Sequence, residues 1–208
     1  MIAVRLAGGE PRRAGHDQAR VLARLVATAF ADLPVVSWLV PLRAERPEVL
    51  PRYFRILVDH ALHHGWVDMM PDRSAVAVWL PAGDPSLAAI TDYDQRLADA
   101  CRANADRFRQ LDQVMHDTHP GSPPHEHLAL LAVDPRRQGT GLGSRLLDHR
   151  HRLLDQHQRP AYLEASTMRS ARLYQRHGYH HIAAPFAPAS CGASMWPMWR
   201  EPQPAQTR

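Results

Sequence analysis

Val133-Asp134-Pro135-Arg136-Arg137-Gln138-Gly139-Thr140-Gly141-Leu142-Gly143-Ser144 is the stretch whose reading decides the fold. Before it, Leu128 to Val133 is nearly all apolar, as expected of a central strand covered on both faces. After it, Leu142, Leu146, Leu147, Leu153 and Leu154 recur at helical spacing and predict a helix from Leu142 to Gln156. Glycines between a buried strand and a helix start let the backbone approach a ligand while free N–H groups point at it, an arrangement that binds anions and above all phosphates. Two familiar phosphate loops fail on spacing. G-x-G-x-x-G from Gly139 and Gly141 would need glycine where Ser144 stands, and G-x-x-x-x-G-K-[ST] needs a lysine this chain does not have.

Downstream, Ala161 to Ser166 reads as the next strand, and Thr167 to His177 as a short helix closed by Gly178. Strands near Tyr179 to Ala183 and Ser194 to Arg200 follow, with a disordered tail from Glu201. Upstream, Ile2 to Leu6 alternates like a first strand. A helix from about His16 carries Val21, Leu22, Leu25, Val26, Ala29 and Phe30 on one face, and Pro34 loosens its end. A second helix begins near Pro47 and stops at Gly65. Trp66 to Met70 and Ser74 to Leu80 form a hairpin across Pro71-Asp72-Arg73, closed by Pro81. Ser86 to about His116 is helical, in one or two pieces, with Leu87, Ile90, Leu97, Cys101, Phe108, Leu111 and Met115 buried; Pro120 to Pro124 breaks it.

All 25 basic residues are arginine, and Asn104 is the single asparagine, a skew that resembles the codon background of a GC-rich genome. The formal charge of +4 is spread among 21 acidic residues instead of gathered in a stripe, which disfavours a nucleic-acid partner. Cys101 and Cys191 make no C-x-x-C pattern, so neither a disulfide framework nor a zinc module is expected. The N-terminus lacks a signal peptide's charged start and apolar core, and no apolar run approaches the roughly 20 residues that cross a bilayer. A single cytoplasmic domain over residues 1–200 is expected, with no membrane partner.

Arg136-Arg137-Gln138-Gly139-Thr140-Gly141 matches the [RQ]-x-x-G-x-[GA] acetyl-CoA loop of the GNAT superfamily of N-acetyltransferases. In register behind it, Tyr162-Leu163-Glu164-Ala165-Ser166 and Ala171-Arg172-Leu173-Tyr174-Gln175-Arg176-His177-Gly178-Tyr179 resemble that family's following strand and its A-x-x-L-Y-x-x-x-G-F segment. Ala27 to Pro34 and Ala75 to Trp79 resemble the puromycin N-acetyltransferase branch of the family, while Ala82 to His125 is loosely matched. The resemblance implies an α/β (α+β) fold: a mixed, mostly antiparallel twisted sheet of about seven strands, splayed at its centre, with helices on both faces.

It further implies acetyl transfer from acetyl-CoA, as co-substrate, to a primary amine of a small molecule, with a homodimer as a frequent family state. Leu131, Ala132 and Val133 would lie against the pantetheine arm and acetyl group, and Gln138, Gly139, Thr140, Gly141, Leu142, Gly143 and Ser144 against the pyrophosphate, beside Arg136 and Arg137. Tyr174 aligns with the family's tyrosine beside the CoA sulfur, where a phenol can protonate the departing thiolate. His127 lies six residues before Val133, where several members carry a Glu or His on the same strand, and imidazole suits proton transfer near neutral pH. It is expected to share a strand face with Ala129 and Leu131. His125, Glu126 and Glu164 compete for the base, and water is the alternative. Thr167 stands where relatives often place a CoA-contacting asparagine.

No metal is expected. His60 with His64, and the group His177, His180 and His181, lack H-E-x-x-H or a cysteine partner. The competing functions are an acyl-CoA-binding sensor without turnover and an acetyltransferase acting on a protein N-terminus or lysine.

Overall fold

The computed structural model describes residues 9–204. Among them, β1 (Arg12–Arg13), β2 (Trp66–Met69), β3 (Ala75–Ala82), β4 (His125–Val133), β5 (Ala161–Ala165), β6 (His180–His181) and β7 (Trp196–Arg200) form one sheet in the order β1-β2-β3-β4-β5-β7-β6. Every neighbouring pair is antiparallel except β4 and β5. This is the mixed, mostly antiparallel sheet the resemblance implies. The strand expected at Ile2 to Leu6 lies outside the described residues.

Among the described residues seven α-helices cover the sheet: α1 (Ala19–Phe30), α2 (Pro34–Leu39), α3 (Arg46–His64), α4 (Tyr93–Cys101), α5 (Ala105–Thr118), α6 (Leu142–Gln156) and α7 (Met168–Arg176). Their apolar stripes divide the core in two. On one face Leu22 and Val26 of α1, Leu50 and Val58 of α3, Leu97 of α4 and Phe108 of α5 pack with Val76, Val78, Leu130 and Ala132. On the other, Leu146 and Leu147 of α6 and Ala171 and Tyr174 of α7 pack with Ala77, Trp79, Leu163 and Met198. The alternation of β3 is what sends Val76 and Val78 one way and Ala77 and Trp79 the other. No helix among the described residues is long and apolar enough to cross a membrane.

Several boundaries follow from single residues. Gly65 ends α3 because a Cβ there would sit 2.2 Å from the Trp79 carbonyl oxygen, so the chain can turn into β2 only without a side chain. Arg46, almost fully buried, donates to the carbonyls of Val40 (3.0 Å) and Ala31 (2.7 Å), satisfying orphan acceptors beyond the C-terminal ends of α2 and α1. Pro34 does more than loosen α1: it opens α2, as a proline at a first helical turn can.

Two expectations are corrected. Pro81 does not close β3, which continues to Ala82 with Pro81 opposite Glu126. Strand β2 reaches only as far as Trp66 opposite Trp79, so Pro81 lies where one side of β3 is open and a missing N–H is tolerated. Residues 86–92 are not helical: the Asp84 carboxylate accepts from the Ser86 N–H and hydroxyl, a local turn that competes with helix, and Leu87 is exposed. The helical stretch is then interrupted at Arg102, which has positive φ, giving α4 and α5. Of the expected tail, Glu201 accepts from the Trp199 indole and the Gln203 N–H donates to Asp155, while residues 205–208 lie outside the described residues.

Candidate active site

The glycine loop begins where β4 ends. The Asp134 N–H donates to the Ser74 carbonyl, and its carboxylate accepts from the Arg136 N–H, forming a tight turn over Pro135–Arg137. Gly139 and Gly141 have φ of +79° and +84°, and a Cβ at either would meet nothing within 4 Å, so they are required for backbone conformation and face open space. Gly141 is the N-cap of α6 and supplies no capping side chain, so the first-turn N–H groups of Leu142, Gly143 and Ser144 remain for a ligand. The side chains around them have other partners. Arg136 donates to Asp134 (2.8 Å) and holds that carboxyl down to about 2, Arg137 donates to Asp72, and the Thr140 hydroxyl donates to the Arg137 carbonyl (2.6 Å). The Gln138 amide reaches the Val133 carbonyl at 3.4 Å, and Ser144 Oγ meets His177 Nε2 at 3.0 Å. That last contact ties the start of α6 to the end of α7.

Beside the loop the sheet opens. Strands β4 and β5 are paired only at Glu126 with Ala161 and His127 with Tyr162, so from Leu128 onward β4 has no β5 partner. Leu131, Ala132 and Val133 therefore border the splay. The register of β3 against β4 skips Ala129, since Val78 faces Leu130 while Trp79 faces Leu128. This bulge corrects the expectation that His127, Ala129 and Leu131 share a face: Ala129, Leu130 and Ala132 pack toward α1 and α3, whereas Leu131 and Val133 pack toward α6.

Tyr174 sits on the α6 side, its ring 5.8 Å from that of Tyr179, and burial raises its phenol well above the usual range. Thr167 is the N-cap of α7: its hydroxyl accepts from the Ser170 N–H (3.0 Å) and the Ser170 hydroxyl accepts from the Thr167 N–H (3.1 Å), a complete capping box. Leu173 packs within reach of Gly143, so α7, α6 and β4 converge at the loop.

The opposite face holds a histidine cluster. His127 Nε2 donates to Glu164 Oε2 at 2.8 Å, and Glu164 is almost completely buried on β5. A carboxylate accepts only, so the neutral His127 that makes this bond carries its proton on Nε2 and its lone pair on Nδ1. Burial by itself would raise Glu164, but the His127 and His119 rings outweigh it and hold the carboxyl below its ordinary range. His119, one residue past α5, stacks on His125 with its Nε2 3.0 Å from His125 Nε2. Burial lowers His125 to about 4, and its Nδ1–H donates to the Pro123 carbonyl at 2.8 Å. The Tyr162 ring packs against His119, His125 and His127.

Glu164, a competitor for the base in the sequence, thus becomes the partner of His127. Glu126 lies in the same strand but toward Arg150. His119 carried no sequence signal, because it lies in the loosely matched segment and no fixed spacing links it to β4 or β5. Among the described residues, the group whose ligand-type atoms lie within 4.8 Å of one another is His119, His127 and Glu164; neither histidine group singled out in the sequence forms one.

Residues 103–181, from the segment before α5 to the end of β6, match the sequence family described as the acetyltransferase (GNAT) domain. Over 53 residues the chain is 43% identical to an uncharacterized N-acetyltransferase of Schizosaccharomyces pombe, a stretch covering 26% of this chain and 22% of that protein, so the match spans about a fifth of its length. A Corynebacterium glutamicum structure described as histone acetyltransferase HPA2 and related acetyltransferase has a TM-score of 0.70 at 22% identity, covering 96% of this chain and 99% of that one. Arylalkylamine N-acetyltransferase 2 of Aedes aegypti has a TM-score of 0.58 at 14% identity, covering 93% and 99%. The architecture is the GNAT fold, and residues 103–181 are similar in sequence to the acetyltransferase (GNAT) domain family.

Proposed function

We propose that this protein transfers the acetyl group of acetyl-CoA to a primary amine of a small molecule by direct attack. The observation that carries the reading is the splay between β4 and β5, with uncapped N–H groups of α6 at one end and a carboxylate-oriented histidine at the other. Pairing that stops after His127 leaves one edge of β4 to offer backbone groups to an extended pantetheine arm past Leu131, Ala132 and Val133. The pyrophosphate lies against Gln138 to Ser144, where helix-start N–H groups stabilise anions. Arg136 and Arg137 turn from Asp134 and Asp72 toward phosphate. Thr167 acts mainly through the cap that seats α7.

An alkylamine is protonated near neutral pH, its pKa being about 10, so the reaction requires a base. His127 takes the amine proton at Nδ1 while Glu164 holds the Nε2–H and stabilises the imidazolium that forms. The N–C bond forms and the C–S bond breaks. The leaving thiolate has a reference pKa of about 8.5. A phenol raised by burial is still protonated when the C–S bond breaks, so Tyr174 acts as the general acid: its proton passes to the departing sulfur and the phenolate is reprotonated from solvent. Acid and base stand on opposite faces of the sheet, and the splay between them is where thioester and amine meet.

A small-amine acceptor is supported by the arylalkylamine acetyltransferase among the structural neighbours. The likeness of Ala27 to Pro34 and Ala75 to Trp79 supports placement near the puromycin N-acetyltransferase branch. Buried free Cys101 and Cys191 fit a reducing, cytoplasmic setting. The test is to mix purified protein with acetyl-CoA and a panel of amines, following thiol release and the acetylated product by mass spectrometry. Tight CoA binding without release from any amine would establish the sensor instead. Acetylation confined to peptide N-termini or lysines would establish a protein acetyltransferase.

A further inference from the structure

The histidine cluster contains an arrangement that proton bookkeeping leaves unresolved. His125 commits its Nδ1–H to the Pro123 carbonyl, so the Nε2 of the neutral ring is an acceptor. His119 Nε2, 3.0 Å away, must then be the donor. That choice fixes the lone pair of a neutral His119 on Nδ1, which faces Glu164 Oε1 at 3.7 Å, beyond hydrogen-bond length. Glu164 Oε1 is buried without a partner, on a side chain only 2% exposed, while its other oxygen already accepts from His127. When His119 is neutral, two acceptors therefore face each other across this contact, and a positive charge relieves it, either a proton on His119 Nδ1 or a metal ion between them.

We propose that His119, Glu164 and His127 form a binding site for a divalent cation of the zinc class, through His119 Nδ1, a Glu164 carboxylate oxygen and His127 Nε2. Two imidazoles and one carboxylate are a donor set suited to Zn2+, and imidazole disfavours Mg2+ or Ca2+. One ligand-type atom from each of the three residues already lies within 4.8 Å of the others. Zinc bonds of about 2.0–2.1 Å place tetrahedral donors roughly 3.3–3.4 Å apart, so the 3.7 Å His119–Glu164 contact shortens and the 2.8 Å His127–Glu164 contact opens, both by side-chain adjustment. The outer partner of one ligand is in place, because His119 donates its remaining N–H to His125, which is anchored in turn on Pro123. Three protein ligands leave a fourth position for water or an amine.

Metal binding has a consequence for His127. Coordination through Nε2 moves the ring proton to Nδ1, and the lone pair that would accept the amine proton is gone. The site is therefore inhibitory; this part rests on His127 being the base, while the binding itself does not.

The experiment titrates chelator-stripped, tag-free protein with Zn2+ against a chromophoric chelator, and with Co2+ as a visible-absorbing probe. Expected are one tight equivalent in the wild type, a tenfold or greater loss of affinity in Glu164→Gln and in His119→Asn, and no loss in His60→Ala. Circular dichroism checks that the variants fold, and His119→Asn, at a partly exposed position, covers failure of the buried one. No binding by the wild type, or equal binding by folded Glu164→Gln and His119→Asn, overturns the site. Stoichiometric Zn2+ should suppress acetyl transfer, with recovery on adding chelator. A metal bound at this site that leaves transfer unchanged overturns the inhibitory role and the assignment of His127 as base, while the cation site stands.

Discussion

The two faces of the sheet at the splay are built in different ways. On the α6 side, loop, helix, strand and α7 run consecutively from Val133 to Arg176, and each part is positioned by its neighbour in the chain: Gly141 starts α6, Thr167 starts α7, and Ser144 meets His177. On the other side, His119 follows α5, His127 lies on β4 and Glu164 on β5, residues joined only by the packing of three elements. The first face can be described by a spacing; the second exists only once the sheet has formed. A loop shaped by glycine conformation can be local, whereas a hydrogen-bonded cluster of side chains can be assembled from distant parts.

Substitution at the assembled face has the largest expected effect. His127→Ala should lower kcat about 10²–10⁴-fold, the usual contribution of a general base, with little change in acetyl-CoA affinity. Retention of most of the activity would move proton removal to water and leave the histidine face structural. The next effect belongs to the contiguous face and is read from stability against pH. His151 on α6 contacts the Tyr179 hydroxyl at 3.1 Å, and burial, helped by the Arg200 charge, lowers it to about 3. The unfolded chain, with imidazole near 6.5, binds more protons in between, so folding stability should fall as pH drops from about 6.5 toward 3. Urea titrations of wild type and His151→Gln across that range should show a shallower slope in the variant; identical slopes would mean that His151 is not held neutral.

Smaller effects separate chemistry from scaffold within the α6 face. Tyr174→Phe should reduce turnover by about 10²-fold while calorimetry finds acetyl-CoA binding unchanged. If both fall together, the tyrosine serves packing against Tyr179. Gly141→Ala, at φ of +84°, should cost roughly 1–2 kcal/mol and weaken acetyl-CoA binding, whereas Gly143→Ala meets only side chains at 3.6–3.9 Å and should be nearly neutral. Equal effects at the two positions would show that the loop's conformation is not what matters. Smallest is Thr167→Ala, which removes one half of a capping box for about 1 kcal/mol and should lower Tm by a few degrees, with kcat falling only as far as α7 loosens.

Legibility in the sequence tracks this division. Helix α6 has the predicted bounds, Leu142–Gln156, because an apolar spacing and a glycine start define it within one window. The hairpin of β2 and β3 was equally local. Pro81 was misread because its tolerance depends on where β2 ends, which no residue near Pro81 records. Leu87 belongs to a turn made by Asp84, a competition between side chain and helix that apolar spacing does not register. The bulge at Ala129 reassigns Leu131 to the other face, a shift set by the register between β3 and β4.

What the sequence by itself determined is the glycine loop, the strand before it and the helix after it, the order of strands and helices from β4 onward, and the candidacy of Tyr174 and His127. The loop, its flanking elements and their order rest on periodicity, glycine conformation and capping, which act over a few residues, whereas the candidacy of Tyr174 and His127 rests on the resemblance to the GNAT family. The tertiary structure alone decided that β4 and β5 part company after His127, that Glu164 fixes the His127 tautomer, and that His119 completes a three-donor cluster. Those depend on which atoms come within 3 to 5 Å after the core has closed, and hydrogen-bond direction and charge pairing at that range have no counterpart in spacing along the chain.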